Sequence, residues 1–394
     1  MIQRICILVV LSLLGFYPSF ATQRNIEDLM KDNDYIFAAL VVVSPGRALY
    51  SAGGHLAIRM TCPLQNVDYV YEFDASLNTN ESLVLNYLNG CLKGEYIRLY
   101  SSDFFGKVHE ENRMFYEYPL NLTPDQEVKL WSNLDNAVDS NSIFPFTPAK
   151  YNCCSMILSI VEESVQTGLF SSQRVSNALN GSGRQYLDDF FFNSPWRGLF
   201  WNIILGIDFD KSQKTIFLYY PKIIGKYVSL IYNPLNNKSL ISREQDAKAF
   251  SSDKHEMMTP SFIFIILLIF AICLTVANIA GMQIRYSIVF DILLMAVLAI
   301  IGGVLWYMFV ASLFSYRLYF NILMVLFTPL PIILLFIRKR NAWNWYVKSI
   351  VVISSLLLLN IYFITQIQLY CIWAFVSTVL IRGLYNIYLN KKQV

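Results

Sequence analysis

A cysteine at a predicted helix start and a histidine beside two glycines are the residues best suited to nucleophilic chemistry. Asn152 precedes Cys153, and the apolar run that follows predicts a helix with Asn152 as its N-cap. The dipole and amide groups of a helix N-terminus lower the pKa of a thiol and can also bind an oxyanion. His55 follows Gly53 and Gly54, which leave room for a substrate, and it is the best candidate for a general base.

Structural roles for the cysteines remain open on spacing alone. A cysteine at a helix start is often a packed core residue, and an oxidising compartment would permit a disulfide. Cys62 and Cys91 could form one, and Cys153 or Cys154 could take part. No CxxC pair and no cluster of histidine and cysteine has the spacing of a zinc site, so we expect neither a metal nor another cofactor.

The elements that must position these residues are short strands and a few helices. Alternating or continuous apolar residues predict strands over 36–44, 55–60, 68–74, 96–100 and 113–118. A helical piece is expected over 82–87. Thr123 and Gln126 form a predicted capping box for a helix over 123–139, and the helix that starts near Cys153 runs to about residue 163. The segment 170–250 is expected to be rich in strands and loops.

The composition and the N-terminus indicate an exported membrane protein. Of the 394 residues, 55% are hydrophobic and 15% are charged, whereas soluble domains have about 25% charged residues. Arg4, the apolar run 5–16 and the small residues around Ala21 predict a signal peptide over 1–21, with an uncleaved anchor as the alternative. The net charge of +3 argues against a nucleic-acid partner.

The last third of the chain predicts a membrane domain over 259–394, after a soluble domain over 22–258. We expect about five helices with the roughly 20 apolar residues that a bilayer requires, over 261–281, 286–311, 318–337, 348–365 and 368–386. With the soluble domain outside, basic residues such as Arg340, Arg382 and Lys391 collect inside. The protein is therefore expected to be a multi-pass inner-membrane protein with a periplasmic N-terminal domain and a cytoplasmic C-terminus.

Two features of the predicted bundle suggest more than anchoring. Asp291 lies within the second helix, where a carboxylate is costly. It either faces the bundle interior, with Asn321 or Arg317 as partner, or lies near the helix end in contact with water. Pro329 and Pro331 predict a kink or break in the third helix.

An aromatic segment of the soluble domain could contact lipid. Its most prominent residues are Trp196, Phe200 and Trp201. Aromatic side chains of this kind favour the membrane interface. Packing against the core of the soluble domain is the alternative.

Several motifs resemble the Lnb family of lipoprotein N-acyltransferases. They are, in chain order, Gly53–Arg59, Asp68–Phe73, Leu120–Thr123, Tyr151–Cys153, Asp291, Asn321 and Pro329–Pro331. This family combines a periplasmic domain with a C-terminal membrane bundle. The order of a histidine strand before an Asn-Cys helix start is also similar to circularly permuted papain-like enzymes. Two departures stand out: Cys154 replaces a threonine, and Asp74-Ala75 replaces Gly-Thr.

The resemblance implies an α+β fold, with a permuted papain-like (NlpC-like) thiol domain before a transmembrane bundle. It implies Cys153 as nucleophile and His55 as general base, with Glu72 or, alternatively, Asp74 orienting the imidazole. The candidates for binding substrate or lipid are Asn152, Trp196, Phe200, Trp201, Asp291 and Asn321.

The implied reaction moves an acyl chain from a membrane phospholipid, through a Cys153 thioester, to the α-amino group of a diacylglyceryl-cysteine lipoprotein. The partners are then a phospholipid acyl donor, a diacylglyceryl lipoprotein acceptor and the membrane. The alternatives are a phospholipid hydrolase or a cell-wall thiol peptidase on the same scaffold, or a non-enzymatic envelope assembly protein.

Overall fold

The computed structural model describes most of both expected domains. The described residues are 36–46, 51, 53–75, 80–147, 151–166, 182–186, 191, 194–210, 221–241, 258–282, 286–312, 322–337 and 340–392. The predicted signal peptide over 1–21 and the residues Arg317 and Asn321 lie outside these ranges.

The N-terminal domain is built on a six-stranded antiparallel sheet with the strand order β5-β1-β2-β3-β4-β6. The strands are β1 Phe37–Val43, β2 His55–Cys62, β3 Val67–Asp74, β4 Lys93–Tyr100, β5 Phe115–Pro119 and β6 Phe144–Pro145. All five predicted strands are present. β1 is apolar throughout because both faces of the sheet are covered.

Six α-helices accompany this sheet in the described residues. They are α1 Asn80–Asn89, α2 Ser101–Glu110, α3 Pro124–Asp139, α4 Cys153–Val165, α5 Pro195–Ile204 and α6 Pro221–Val228. The expectation of strands and loops over 170–250 is wrong where α5 and α6 form. Each begins with proline, whose fixed φ suits the first position of a helix. Helix α2 was also missed, because its short sequence has many polar residues.

The two faces of the sheet carry different helices. Leu56 and Ile58 of β2 pack in one cluster with Ile157 of α4. Val70 of β3 packs on the opposite face with Phe104 of α2. Because side chains alternate along a strand, residues 55 and 57 point away from the face of residues 56 and 58.

The C-terminal region is helical, and the predicted α+β domain followed by a helical membrane region is confirmed. Its helices are α7 Pro260–Ile279, α8 Tyr286–Ala311, α9 Leu330–Ile337, α10 Arg340–Leu359, α11 Thr365–Gln368 and α12 Ile372–Lys392. Within the described residues, four helices are long and apolar enough to cross a membrane. The fourth predicted span begins at Arg340 rather than at 348.

The third predicted span is broken, as its prolines indicated. A short 3-10 turn over Ile322–Val325 is followed by an irregular stretch, and α9 begins at Leu330. Helix α8 approaches this stretch closely through Gly302. A Cβ atom at that position would lie 2.5 Å from the backbone nitrogen of Thr328. Glycine therefore allows the two backbones to touch where the helix is interrupted.

Asp291 is paired inside the bundle, but with a partner that the sequence did not suggest. Arg382 of α12 donates from Nε and a terminal nitrogen to its two carboxylate oxygens, at 2.6 and 2.8 Å. Asn386 donates to the same carboxylate, and Ser287 accepts from the guanidinium. The sequence predicts Arg382 among the basic residues of a cytoplasmic tail, whereas it lies within α12, is fully buried and joins α12 to α8. An ion pair with these additional hydrogen bonds offsets the cost of a charge in lipid.

Candidate active site

His55 and Glu72 meet at one end of the sheet. His55 is the first residue of β2, and Glu72 lies on the neighbouring strand β3, opposite Ala57. Both side chains belong to the same face of the sheet, and His55 Nε2 lies 2.6 Å from Glu72 Oε2. The pair is mostly shielded, with side-chain exposures of 17% and 10%. Since Nε2 is engaged with the carboxylate, Nδ1 is the ring nitrogen left for another partner.

Cys153 begins α4, as the sequence predicted. The Asn152 side chain accepts a hydrogen bond from the Ser155 amide, and Ser155 Oγ accepts one from the Asn152 amide. This reciprocal cap fixes the first turn of the helix. The cap occupies the amide of Ser155, so the amides of Cys153 and Cys154 are the remaining first-turn donors. An anion beside the Cys153 sulfur would therefore meet the positive end of α4.

The Cys153 thiol and the imidazole of His55 are close enough to change each other's pKa. A hydrogen bond from Cys154, the charge of His55 and the amide of Leu56 hold the pKa of Cys153 well below its usual range, although burial opposes them. Burial alone would lower the pKa of His55, but the Cys153 thiolate and the Glu72 carboxylate raise it above its usual range. These shifts favour a thiolate–imidazolium pair, the reactive form of a thiol nucleophile.

Cys154 lies beneath the site. Its Sγ is 4.0 Å from Cys153 Sγ, and it is buried in the core. Burial and the neighbouring sulfur raise the pKa of Cys154 well above its usual range, so this thiol keeps its proton. Of the two adjacent cysteines, Cys153 is the one whose surroundings favour the thiolate.

The described cysteines are free thiols. Cys62 is buried in the core while Cys91 is exposed, so the disulfide considered between them does not form. This follows from the fold, because Cys62 ends the central strand β2 with its side chain on the α4 face. Among the described residues, no group of three potential metal ligands comes together.

Asp74 is close to the site but does not contact the imidazole as Glu72 does. It ends β3, and burial raises the pKa of its carboxyl group. The two carboxylates considered for orienting His55 are thus distinguished by geometry, since the 2.6 Å contact belongs to Glu72.

The two glycines before His55 have different roles. Gly54 has a φ of +74°, and a Cβ atom there would lie 2.8 Å from the carbonyl oxygen of Val43. Gly54 therefore allows a tight turn against β1. A Cβ atom added at Gly53 would have no atom of the described residues within 4 Å. There is therefore open space beside the strand that carries His55.

The three aromatic candidates lie on α5, between the soluble domain and the membrane helices. Trp196 is 41% exposed and donates to the backbone oxygen of Met258, directly before α7. Phe200 is equally exposed, whereas Trp201 packs edge-on against Tyr87 of α1. The helix therefore packs on the domain through Trp201 and presents Trp196 and Phe200 outward. Contact of these side chains with lipid stays a prediction.

Asp291 is the bundle candidate that the structure describes, and it lies far along α8 from the soluble domain. Tyr307 of α8 donates to Asn89 of α1, which places that end of α8 against the soluble domain. Asp291 lies about 24 Å further along the same helix, at 1.5 Å per residue. Asn321 lies outside the described residues.

Sequence analysis missed the contacts that hold α5 in place. Arg184 is fully buried and donates to Asp210, to the backbone oxygen of Asn202 and to that of Leu205. Asn202 and Gln366 of α11 exchange side-chain to backbone hydrogen bonds at 2.9 and 2.7 Å. No local spacing pattern indicates such partners, which are up to 164 residues apart.

Two family models match the chain. The model of the Lnb N-terminal periplasmic domain matches residues 30–177, and that of the Lnb transmembrane domain matches residues 252–393. No curated protein and no solved structure matches the chain. The first match contains the site of His55, Glu72 and Cys153, and the second contains the bundle with Asp291 and the broken helix. The chain therefore belongs to the Lnb family, as a membrane protein with a periplasmic N-terminal domain.

Proposed function

We propose that this protein is a lipoprotein N-acyltransferase with Cys153 as its nucleophile. The observation that carries the proposal is a cysteine at a helix start that interacts electrostatically with His55, whose Nε2 lies 2.6 Å from Glu72. The Lnb family supplies the substrate class, because the resemblance implies transfer of an acyl chain to lipoproteins. The site supplies a chemistry that suits such a transfer.

In the first half-reaction, the Cys153 thiolate attacks the carbonyl carbon of a phospholipid ester. The amides at the start of α4 stabilise the resulting oxyanion. The His55 imidazolium then donates its proton to the leaving alkoxide, the C–O bond breaks, and a lysophospholipid departs. An acyl thioester on Cys153 remains, and His55 is neutral.

In the second half-reaction, the α-amino group of a diacylglyceryl-cysteine lipoprotein attacks the thioester carbonyl. Neutral His55 accepts the proton that the amine loses, and the Cys153 thiolate leaves as the C–S bond breaks. The products are an N-acylated lipoprotein and the starting thiolate–imidazolium pair. Glu72 stabilises the charged ring in both halves.

The attachment of the catalytic domain to the bundle supports the proposal that its substrates are lipids. Asn202 and Tyr307 take part in contacts between the soluble domain and the membrane region, and Trp196 donates to Met258 directly before the first membrane helix. Both proposed substrates are anchored in a bilayer leaflet, so a domain held at a fixed height can reach their headgroups. We also propose that the C-terminus is cytoplasmic, because that orientation places the basic residues inside.

Reconstituted protein with a phospholipid labelled in one acyl chain tests the proposal. We expect label on Cys153 with donor alone, and label on the lipoprotein N-terminus once a diacyl lipoprotein is added. Cys153→Ala should abolish both signals, while Cys154→Ala should retain a labelled thioester. Loss of label in Cys154→Ala and its persistence in Cys153→Ala would reverse the assignment.

The same experiment separates the alternatives. A phospholipid hydrolase would release free fatty acid at the same rate with or without the acceptor. A cell-wall peptidase would cleave muropeptides and form no acyl-enzyme from phospholipid. In an envelope assembly protein without catalysis, Cys153→Ala would leave the N-termini of cellular lipoproteins unchanged by mass spectrometry.

A further inference from the structure

A cavity of about 470 Å³ opens among the membrane helices, away from the soluble domain. Helices α8, α9, α10 and α12 line it. Its lining side chains include Ile288, Asp291, Ala299, Pro331, Trp343 and Asn386. On α8 the cavity wall runs from Ile288 to Ile300, so at 1.5 Å per residue its near end lies about 10 Å from Tyr307, where α8 contacts the soluble domain. The cavity has no lining residue from the soluble domain. It is therefore separate from the Cys153 site.

The broken third span leaves this space. Helix α9 has only eight residues, and its first turn supplies Pro331 to the cavity wall. On the facing helix α8, the wall is formed by small side chains at Ala296 and Ala299. A continuous helix with large residues on α8 would fill this volume, because helices normally pack 8–10 Å apart. The cavity thus results from two features of this sequence.

The mouth of the cavity opens toward lipid. Ile288, Ile292 and Ile300 line it and are 69%, 61% and 64% exposed. They belong to a 26-residue helix long enough to span a membrane. Large apolar side chains exposed on such a helix contact acyl chains, so the medium at this opening is the hydrocarbon of the bilayer.

The polar end of the cavity carries no uncompensated charge. Asp291 is the acidic residue in the wall, and Arg382 is paired with both of its carboxylate oxygens. Asn386 donates to the same carboxylate. An ion would find this carboxylate already neutralised, so the cavity favours an uncharged, apolar occupant. Trp343 near the start of α10 is a residue type that marks the headgroup level of a membrane.

We propose that this cavity binds one acyl chain of a bilayer phospholipid, whose headgroup remains near Trp343. The volume falls within the roughly 300–1,000 Å³ of small-molecule sites. The occupied site would fill the gap left by the broken helix and support the packing of α8 against α9. Binding in this cavity requires no reaction at Cys153. The lipid is therefore a structural ligand of the bundle and not the acyl donor.

Photolabelling of the full chain tests this site. The protein is reconstituted in vesicles of phosphatidylethanolamine and phosphatidylglycerol that contain a trace of phospholipid with a diazirine in its acyl chain. After irradiation, mass spectrometry should find crosslinks concentrated on cavity residues such as Ala299 and Pro331. Ala299→Phe should lower that labelling about tenfold, the effect of losing about 1.4 kcal/mol of binding.

Val276→Phe is the matched control, because Val276 is exposed on α7 outside the cavity wall. It should leave the cavity labelling unchanged. If Ala299→Phe does not elute as folded protein, Ala296→Phe places a large side chain in the cavity from another position of the same wall. It should give the same loss of cavity labelling. Labelling of cavity residues no stronger than that around Val276, or undiminished in a folded filling variant, would overturn the proposal. Cavity labelling in Cys153→Ala that equals the wild-type level would show that this site is independent of catalysis. Cavity labelling that is lost in Cys153→Ala would contradict the proposal.

Discussion

The imidazole of His55 lies between two groups that both favour its charged form. Nε2 is 2.6 Å from Glu72, and the sulfur of Cys153 also raises the pKa of the ring. A carboxylate on one nitrogen fixes the ring orientation and stabilises imidazolium, as it does in other nucleophile–histidine–acid sites. Both contacts therefore favour the pair in which the proton is on His55 and the sulfur of Cys153 is a thiolate.

The Glu72→Gln substitution tests this arrangement. It keeps the shape of the side chain but removes the charge that raises the pKa of His55. The ion pair exists above the pKa of Cys153 and below that of His55, so the alkaline limb of the pH–rate profile should move to lower pH. We expect kcat/KM near neutral pH to fall about tenfold or more, by the typical size of acid–base contributions.

Asp74→Asn is the comparison for that experiment, since Asp74 is nearby but has no contact of this length with His55. We expect a smaller effect on the alkaline limb than in Glu72→Gln. A larger shift in Asp74→Asn would assign the orienting role to Asp74 instead. Kinetics on the same labelled phospholipid measure both variants.

The Cys154→Ala substitution should change how Cys153 ionises. The hydrogen bond from Cys154 is the largest of the effects that lower the pKa of Cys153. Its removal should raise the pH midpoint of iodoacetamide alkylation at Cys153. Cys154→Ser restores a donor of similar size and should recover much of the shift. Identical midpoints in the wild type and Cys154→Ala would exclude this contribution.

At the scale of elements, local sequence patterns are sufficient to predict a helix or strand where the residues that stabilise it are close in sequence. Thr123 and Gln126 form the predicted capping box of α3, and Asn152 caps α4 as expected. Alternation predicted β2 and β3, because one-sided burial imposes a period of two. The pairing of Asp291 with Arg382 was not predictable in this way, because tertiary packing alone brings those residues together over 91 positions. The histidine and cysteine of the site were found through motif order, while the choice of Glu72 over Asp74 required the strand register.

The two capping boxes provide a matched pair of variants. Asn152→Ala and Thr123→Ala each remove a cap and should each lower the unfolding free energy by about 1 kcal/mol. Only Asn152→Ala changes the turn that carries Cys153, so only this variant should slow acyl-enzyme formation. Thermal unfolding and burst-phase labelling measure the two effects. Equal slowing in Thr123→Ala would show that general destabilisation, and not the α4 cap, limits the reaction.

At the scale of the whole molecule, α5 connects the soluble domain with the bundle. Arg184 holds the C-terminal end of this helix through the backbone oxygens of Asn202 and Leu205. Gly198 lets α5 approach Tyr370 closely, because a Cβ atom there would overlap the phenol oxygen. The helix is thus held by contacts from both the soluble domain and the membrane region.

The Asn202→Ala substitution should therefore separate the chemistry of the site from its access to lipid. It removes the amide that donates to Gln366, so it weakens the docking of α5 on α11 without touching Cys153. We expect normal alkylation of Cys153 by iodoacetamide but acylation from bilayer phospholipid that is about tenfold slower or more, since small misplacements of reactants can cost about 10²-fold. Lys226→Ala, on α6, is a control that should affect neither rate. If Asn202→Ala acylates from vesicles at the wild-type rate, rigid docking is not what brings the lipid ester to the thiolate.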